Sequence, residues 1–180
     1  MNSLRRLSLG VVLSFAACGG EPKGAGGPPQ PAAAPLASFV LATDPGEAIA
    51  VTAAKAAGVA DKVVVTGRVA SVVKGFAVFT LMDAALEYCG QVNKEDNCKT
   101  PWDYCCDSQE KRTAHSLLVE VRDGTGQPIA TPALPDTRLL DLVEVRGKLQ
   151  KDDHGNFVLV ADGMFRVQRP DLPADVKWPQ

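Results

Sequence analysis

Apolar and polar residues alternate in five separate segments of this chain, and a period of two is typical of β-strands with one buried face. In the first segment Val63, Val65 and Val69 alternate with polar or smaller residues, and Gly67 interrupts the run. A glycine inside a strand indicates a bulge or a sharp bend. Gly75 marks the turn into the next segment. The four later strands are predicted over residues 76–82, 116–122, 142–150 and 157–168.

A short helix is predicted before the first strand, over residues 46–57. Asp44 is a good N-cap residue, Pro45 suits the first helical turn, and Gly58 suits the end of a helix. The Ala-rich run between them has a high helix propensity. We therefore assign residues 44–60 to an N-terminal helical segment.

Five strands at this spacing predict a mainly β fold, a small barrel over residues 61–168 with a polar tail over 169–180. The first and fourth strands carry similar strings, VVVTGRV and VEVRGKL, and a DDHGNFVLVADGM hairpin joins the last two. These strings resemble the OB-fold, as in anticodon-binding and helicase-associated domains. We expect the first strand to pair with both the second and the fourth. An open β-sandwich is the alternative architecture.

The first 17 residues have the pattern of an export signal. Arg5 and Arg6 precede an apolar run that is too short to span a membrane as a helix, and small residues follow it. The string FAAC, which ends at Cys18, resembles the bacterial lipobox, with phenylalanine where leucine is usual. That resemblance implies an acylated Cys18 as the mature N-terminus, followed by a Pro-, Gly- and Ala-rich tether over residues 18–43. An ordinary secretory signal with a chance cysteine is the alternative.

The charge balance argues against nucleic acid as a partner. The full chain has 19 basic and 21 acidic side chains, a formal net charge of −2. Loss of Arg5 and Arg6 with the signal leaves 17 basic against 21 acidic side chains, a formal charge of −4. Binding to DNA or RNA needs a basic face. If the first and fourth strands pair, the chain has only a modest basic stripe, made of Arg68, Lys74, Arg146 and Lys148, and we expect it to be a solvated face.

Four cysteines remain once Cys18 is assigned to the lipid, and they are Cys89, Cys98, Cys105 and Cys106. An even number in an exported domain predicts two disulfides, which would brace an insert over residues 84–113. A bond between the adjacent Cys105 and Cys106 requires a strained ring, so each is expected to pair with Cys89 or Cys98, in either order. Zinc held by four thiolates is the alternative, although the spacing lacks C-x2-C knuckles. A redox role lacks the usual C-x-x-C.

Two aromatic residues, Trp102 and Tyr104, lie within the string CKTPWDYCCD. We expect Trp102 to pack over the disulfides or the mouth of the barrel, and Tyr104 to keep its hydroxyl in water. An exposed ring on a braced loop loses little entropy when a partner binds. The candidate binding surface therefore consists of Trp102, Tyr104, Arg68, Arg146 and Lys148.

The string GRV…G.AVFTL.D…C…C.TPWDYCC resembles an uncharacterised family of bacterial exported lipoproteins built on an OB-like barrel. The resemblance implies an exported, lipid-anchored domain and brings no activity with it. No G-x-S-x-G, H-E-x-x-H or P-loop motif is present, so we expect neither an enzyme nor a cofactor. We expect a non-catalytic, lipid-anchored module of the cell envelope that binds an envelope protein or a small ligand. A metal-binding or redox protein using the four cysteines is the second hypothesis, and oligonucleotide or oligosaccharide binding is a weaker third.

Overall fold

The structure is a computed structural model of the chain, and it describes residues 36–92 and 98–171. The predicted export signal over residues 1–17, Cys18, most of the tether and the end of the C-terminal tail lie outside the described residues. Within the described part of the chain, no helix is long and apolar enough to cross a membrane.

The described residues form six strands and three short α-helices, preceded by a 3-10 helix over Leu36–Phe39. The strands are β1 (Ile49–Ala50), β2 (Ala60–Val72), β3 (Val78–Met82), β4 (Ser116–Glu120), β5 (Leu142–Lys151) and β6 (Phe157–Gln168). The helices are α1 (Val51–Ala57), α2 (Cys89–Val92) and α3 (Gln109–His115). The fold is therefore mainly β, as predicted.

Five of these strands close into a barrel. β2 pairs with β3, β3 with β4, β4 with β6, β6 with β5, and β5 returns to β2. The β4–β6 pair is parallel and the other four barrel pairs are antiparallel, while β1 adds a short parallel pairing to β2. The predicted five-stranded, OB-like barrel is confirmed. The open β-sandwich is wrong because the first barrel strand pairs with both the second and the fourth.

Alternate strand residues fill the interior of the barrel, as a period of two predicts. Fully buried positions on β2 and β5 include Val65, Val69, Val143 and Val145. A Cβ on Gly67 would lie 2.6 Å from the carbonyl oxygen of Met82. Glycine is therefore required at this position by the close approach of β3. The register of β2 shifts elsewhere, between Val69 and Ser71 against β3 and between Ala60 and Val63 against β5.

α1 begins later than the helix predicted over residues 46–57. Asp44 does not cap it, because its carboxylate accepts a hydrogen bond from the backbone N–H of Gly46 at 2.7 Å and closes a local turn. The next residues form β1 and pair with β2, so the helix starts only at Val51. Its end agrees with the prediction, since Gly58 adopts φ 91, a conformation that glycine reaches without strain.

Asp83 joins the end of β3 to the first turn of α1. The side chain is buried, with the residue 2% exposed. Its Oδ2 accepts hydrogen bonds from the backbone N–H of Thr52 at 2.9 Å and from the Thr52 hydroxyl at 2.7 Å, and its Oδ1 accepts the N–H of Ala85 at 3.0 Å. Burial alone would raise the pKa of Asp83, but these hydrogen bonds outweigh burial and hold the pKa below its usual value.

Lys55 lies further along α1 and contacts the other end of the insert between β3 and β4. Its ammonium donates to the backbone carbonyl oxygens of Thr113 at 2.8 Å, Ala114 at 3.1 Å and Ser116 at 3.0 Å. The last carbonyls of a helix have no partner within the helix, so a side-chain donor satisfies them. α1 therefore holds both the residue at which the insert begins and the residues at which it ends.

A buried ion pair closes the connection between β4 and β5. Asp141 is fully buried, and Arg169 donates to both of its carboxylate oxygens, at 2.8 and 2.7 Å. Such a two-point pairing has a defined geometry as well as charge complementarity. Arg169 follows β6, so the first residue of the predicted polar tail belongs to the folded domain.

Replacing Asp83 with asparagine is expected to lower the free energy of unfolding by about 1.5–3 kcal/mol, because hydrogen bonds to a buried charged group are weakened. The folded-state pKa of Asp83 lies below an unfolded value of about 3.9. The carboxylate therefore stabilises the fold above that pH, and its contribution disappears as the pH falls through the folded-state pKa. Denaturant unfolding of both proteins from neutral to acid pH measures this difference.

Asp162→Asn is the control for this experiment. Asp162 is exposed and pairs with Arg146 on the surface at 2.6 Å, so its replacement is expected to cost at most about 1 kcal/mol. An equal loss in the two variants, or an Asp83→Asn loss that does not shrink in acid, would contradict the role given to the Asp83 carboxylate.

Candidate functional site

The cysteines other than Cys18 lie in the insert between β3 and β4. The two ends of this insert meet, because the backbone N–H of Asp83 donates to the carbonyl oxygen of His115 at 2.8 Å and Met82 pairs with Ser116. The insert thus leaves and rejoins the barrel at one place. Contacts within the insert and between the insert and the barrel position the cysteines.

Backbone hydrogen bonds bring α2 against the segment that carries the adjacent cysteines. Cys89 begins α2, and its N–H donates to the carbonyl oxygen of Asp103 at 2.8 Å. The N–H of Gly90 donates to the carbonyl oxygen of Pro101 at 2.7 Å. A Cβ on residue 90 would lie 3.0 Å from that oxygen, so a glycine permits the close approach of the two segments.

The adjacent cysteines occupy the centre of a turn that faces Cys89. The turn is closed by a hydrogen bond from the N–H of Asp107 to the carbonyl oxygen of Tyr104, at 3.1 Å. The Cys89 sulfur lies 3.4 Å from the sulfur of Cys105 and 3.1 Å from that of Cys106. All three sulfurs lie within 4.8 Å of one another. We refer to these three residues as the thiol cluster.

The two disulfides predicted from the sequence are not formed in this structure, in which Cys89, Cys98, Cys105 and Cys106 are all free thiols. A disulfide needs a sulfur–sulfur distance of about 2.05 Å, whereas the nearer of the two contacts made by the Cys89 sulfur is 3.1 Å. Cys98 lies outside the thiol cluster, and its sulfur contacts the hydroxyl of Thr100 at 3.7 Å. The turn directs both adjacent cysteines toward Cys89.

The three thiols of the cluster differ in burial and in acidity. Cys89 is buried, while Cys105 and Cys106 are exposed. Burial opposes ionisation of Cys89, but hydrogen bonds from the thiols and backbone N–H groups of Cys106 and Cys105 outweigh it and lower the pKa of Cys89. Donation to the Cys89 sulfur raises the pKa of Cys105 to about 12 and also raises the pKa of Cys106. Cys89 is therefore the sulfur that ionises first.

The insert also covers a small apolar cluster on the barrel. Its buried members are Met82, Leu86, Tyr104 and Leu140, and Ala70, Tyr88 and Trp102 pack against them. Tyr104 is only 3% exposed, and burial raises the pKa of its hydroxyl well above the usual range. Within the described residues this hydroxyl has no hydrogen-bond partner. The prediction that Tyr104 keeps its hydroxyl in water is therefore wrong, because the ring supplies apolar area that joins the insert to the barrel.

The basic residues of the predicted binding surface lie in separate environments. Arg146 pairs with Asp162 at 2.6 Å, and Lys148 pairs with Asp61 at 2.8 Å. The guanidinium of Arg68 lies over an aromatic ring of the insert, 5.8 Å from the ring centre. Carboxylates thus balance two of the three cations, and the third contributes to the packing under the insert.

α3 is absent from the elements predicted from the sequence, although a local signal for it exists. Ser108 is a favourable N-cap residue, and its hydroxyl accepts a hydrogen bond from the N–H of Lys111 at 3.2 Å. The convergence of three sulfurs has no comparable local signal, because Cys89 is far from the adjacent cysteines in sequence.

Comparison of the chain with protein-family models, with curated proteins and with solved structures gave no match.

Replacing Tyr104 with phenylalanine is expected to leave the free energy of unfolding unchanged or to raise it by up to about 1–3 kcal/mol, because a buried hydroxyl without a partner carries a desolvation cost. Tyr104→Ala is expected to lower it by about 3–5 kcal/mol, since the ring leaves a cavity in the apolar cluster. Denaturant unfolding of the two variants measures both effects. A loss of more than about 1 kcal/mol in Tyr104→Phe would show that the hydroxyl makes a hydrogen bond in solution.

Proposed function

We propose that this protein is a non-catalytic metal-binding module of the cell envelope, in which Cys89, Cys105 and Cys106 hold a thiophilic metal ion. The observation that carries this proposal is the convergence of the three sulfurs within 4.8 Å of one another. Thiolates are the protein ligands that select soft ions such as zinc and monovalent copper. The OB-like barrel is then the scaffold, and the insert is the binding element.

The distances between the sulfurs fit a shared ion. At a metal–sulfur distance of about 2.3 Å, sulfurs around one ion lie about 3.8–4.0 Å apart. The Cys89 sulfur lies 3.4 Å from Cys105 and 3.1 Å from Cys106, so binding requires the sulfurs to separate by less than about 1 Å. Cys105 and Cys106 are exposed on a turn, so their side chains can make this adjustment without repacking the barrel.

The same geometry favours a metal ion over two disulfides. Two disulfides require Cys98 to lie beside whichever adjacent cysteine is not bonded to Cys89. Both adjacent cysteines instead face Cys89, and Cys98 lies outside the thiol cluster, although it is near enough to Cys106 to interact with it electrostatically. One sulfur that faces two others at once is the arrangement that a shared ion uses.

A thiol-exchange role has weaker support. The reactive species in such chemistry is an accessible thiolate. In the thiol cluster the more acidic sulfur, Cys89, is buried, and the accessible thiols of Cys105 and Cys106 have raised pKa values.

Oligonucleotide or oligosaccharide binding has no specific observation in its favour. Arg146 and Lys148 pair with carboxylates, and Tyr104 is buried rather than displayed for stacking. The net negative charge opposes binding to a phosphate backbone.

We further propose that acyl chains on Cys18 hold the module at an envelope membrane. This proposal rests on the FAAC string after an apolar run, and on the tether that follows it. Acylation would keep the barrel within the reach of the tether from the membrane surface. An envelope protein that binds the module would then deliver the metal ion to the thiol cluster or receive it from the cluster.

The metal proposal predicts stoichiometric binding by the reduced protein. The Cys18→Ser chain, purified with a reductant and without oxygen, is expected to retain one zinc or copper ion per chain after dialysis, as measured by elemental analysis. Cys105→Ser and Cys106→Ser are each expected to lower the affinity by at least about 10–100-fold. Because Cys105 and Cys106 are exposed, replacing either one is not expected to unfold the domain. Circular dichroism of the variants checks that they are folded.

Asp153→Asn, in the exposed loop between β5 and β6, is the matched surface control and should bind like the unaltered chain. The proposal is wrong if the reduced chain retains no metal. It is also wrong if protein isolated from membranes contains two disulfides and no free thiol, which would favour the disulfide-braced binding module.

The anchoring proposal predicts that Cys18→Ser moves the protein from the membrane fraction to the soluble fraction when cells are fractionated. The physical reason is that a single buried acyl methylene contributes about 0.8 kcal/mol, so loss of the chains removes the membrane affinity. Cys98→Ser is the control and should remain with the membranes. Equal membrane retention of the two variants would exclude Cys18 as the anchor.

A further inference from the structure

We infer that the thiol cluster is a three-coordinate site for monovalent copper, from which Cys98 is excluded. This inference rests on the proposed function, because it names the ion that the same three sulfurs take. Three observations carry it: the number of ligands that converge, the engagement of the neighbouring polar side chains, and the unequal exposure of the three sulfurs.

Only three ligand atoms converge in the part of the chain that the structure describes. The remaining cysteine of the insert, Cys98, lies outside this group, and its sulfur contacts the hydroxyl of Thr100 at 3.7 Å. The ligand set drawn from residues 36–92 and 98–171 is therefore three thiolates and no imidazole or carboxylate.

Two other acidic groups and one imidazole of the insert each have one possible ligand atom in another contact. An oxygen of Asp103 accepts the N–H of Tyr104 at 2.7 Å, and Asp107 forms an ion pair with Lys111 at 2.5 Å. The Nδ1 atom of His115 lies 2.8 Å from the carbonyl oxygen of Lys111. Within the described residues, none of these groups places an atom within 4.8 Å of all three sulfurs.

Zinc and monovalent copper differ in the number of ligands that satisfy them. Structural zinc sites are tetrahedral and have four protein ligands, while catalytic zinc sites have three protein ligands and a water. Monovalent copper is a softer ion that thiolates select, and it forms stable trigonal complexes with three of them. Within residues 36–92 and 98–171 the three sulfurs therefore complete a copper site, whereas a structural zinc ion in the same place would lack its fourth protein ligand.

The surroundings of Cys89 suit a monovalent ion held by three anions. Such a complex carries excess negative charge, which needs nearby hydrogen-bond donors. The exposed positions of Cys105 and Cys106 leave water as a source of such donors.

The unequal exposure of the sulfurs provides a route for the ion. Cys105 and Cys106 face solvent, and Cys89 lies beneath them. Copper held by a small thiol or by a carrier protein can be received stepwise, as each new copper–sulfur bond forms while one bond to the carrier breaks. Each cysteine thiol releases its proton to solvent or to the departing carrier thiolate. No electron is transferred in this exchange.

The test is a competition experiment on the Cys18→Ser chain, reduced and kept without oxygen. Monovalent copper is added from its coloured bicinchoninate complex, and the loss of colour measures transfer to the protein. One copper per chain is expected, with an affinity that Cys98→Ser changes by less than about twofold and that Cys89→Ser, Cys105→Ser and Cys106→Ser each lower by at least about 100-fold. X-ray absorption at the copper edge should show three sulfur neighbours and no nitrogen or oxygen neighbour.

The outcomes separate this inference from the proposed function. Zinc that displaces copper at equal concentration, or a tenfold or greater loss of copper affinity in Cys98→Ser, would show a four-ligand site, so the inference fails while metal binding stands. Retention of neither ion would overturn both. An unchanged copper affinity in all four cysteine-to-serine variants would place the ion elsewhere and would also overturn both.

Discussion

The buried carboxylate of Asp83 is the contact on which the rest of the structure depends. It lies where β3 ends, where the insert begins and where α1 starts, and it accepts hydrogen bonds from Thr52 of α1 and from Ala85 of the insert. Lys55 of the same helix donates to the carbonyls at the far end of the insert. A helix of seven residues has little stability of its own in water. These two polar contacts, together with the burial of Val51 and Ala54, hold α1 in place and fix both ends of the insert.

The insert then builds the thiol cluster by short-range contacts. Two backbone hydrogen bonds join α2 to the segment of Pro101 and Asp103, and Tyr104 buries its ring beside Met82 of the barrel. Tyr104 also supplies the carbonyl oxygen that closes the turn of the adjacent cysteines. The residue that attaches the insert to the barrel therefore also orients the thiols. The positions of the sulfurs therefore depend on the packing of the insert against the barrel and not on the conformation of the turn alone.

Much of the barrel could be predicted from the sequence, because strand periodicity is a local property. The predicted last strand, 157–168, agrees with β6, and the predicted fourth strand ends one residue before β5 does. The start of α1 could not be predicted in the same way. Asp44 and Pro45 form a reasonable helix start by propensity, but pairing of β1 with β2 keeps the following backbone extended. Tertiary pairing overrides a weak local preference there.

The sequence by itself determined the class of the fold, the five barrel strands and the presence of four cysteines and three aromatic residues within one insert. Each of these follows from residue types and from spacings of a few residues. Only the tertiary structure decided that Cys105 and Cys106 both face Cys89, that Cys98 does not, and that the ring of Tyr104 is buried. The physical reason is that these contacts join segments distant along the chain. Whether such contacts form depends on the loop entropy lost and the apolar area buried when the whole domain packs, and no local pattern records that balance.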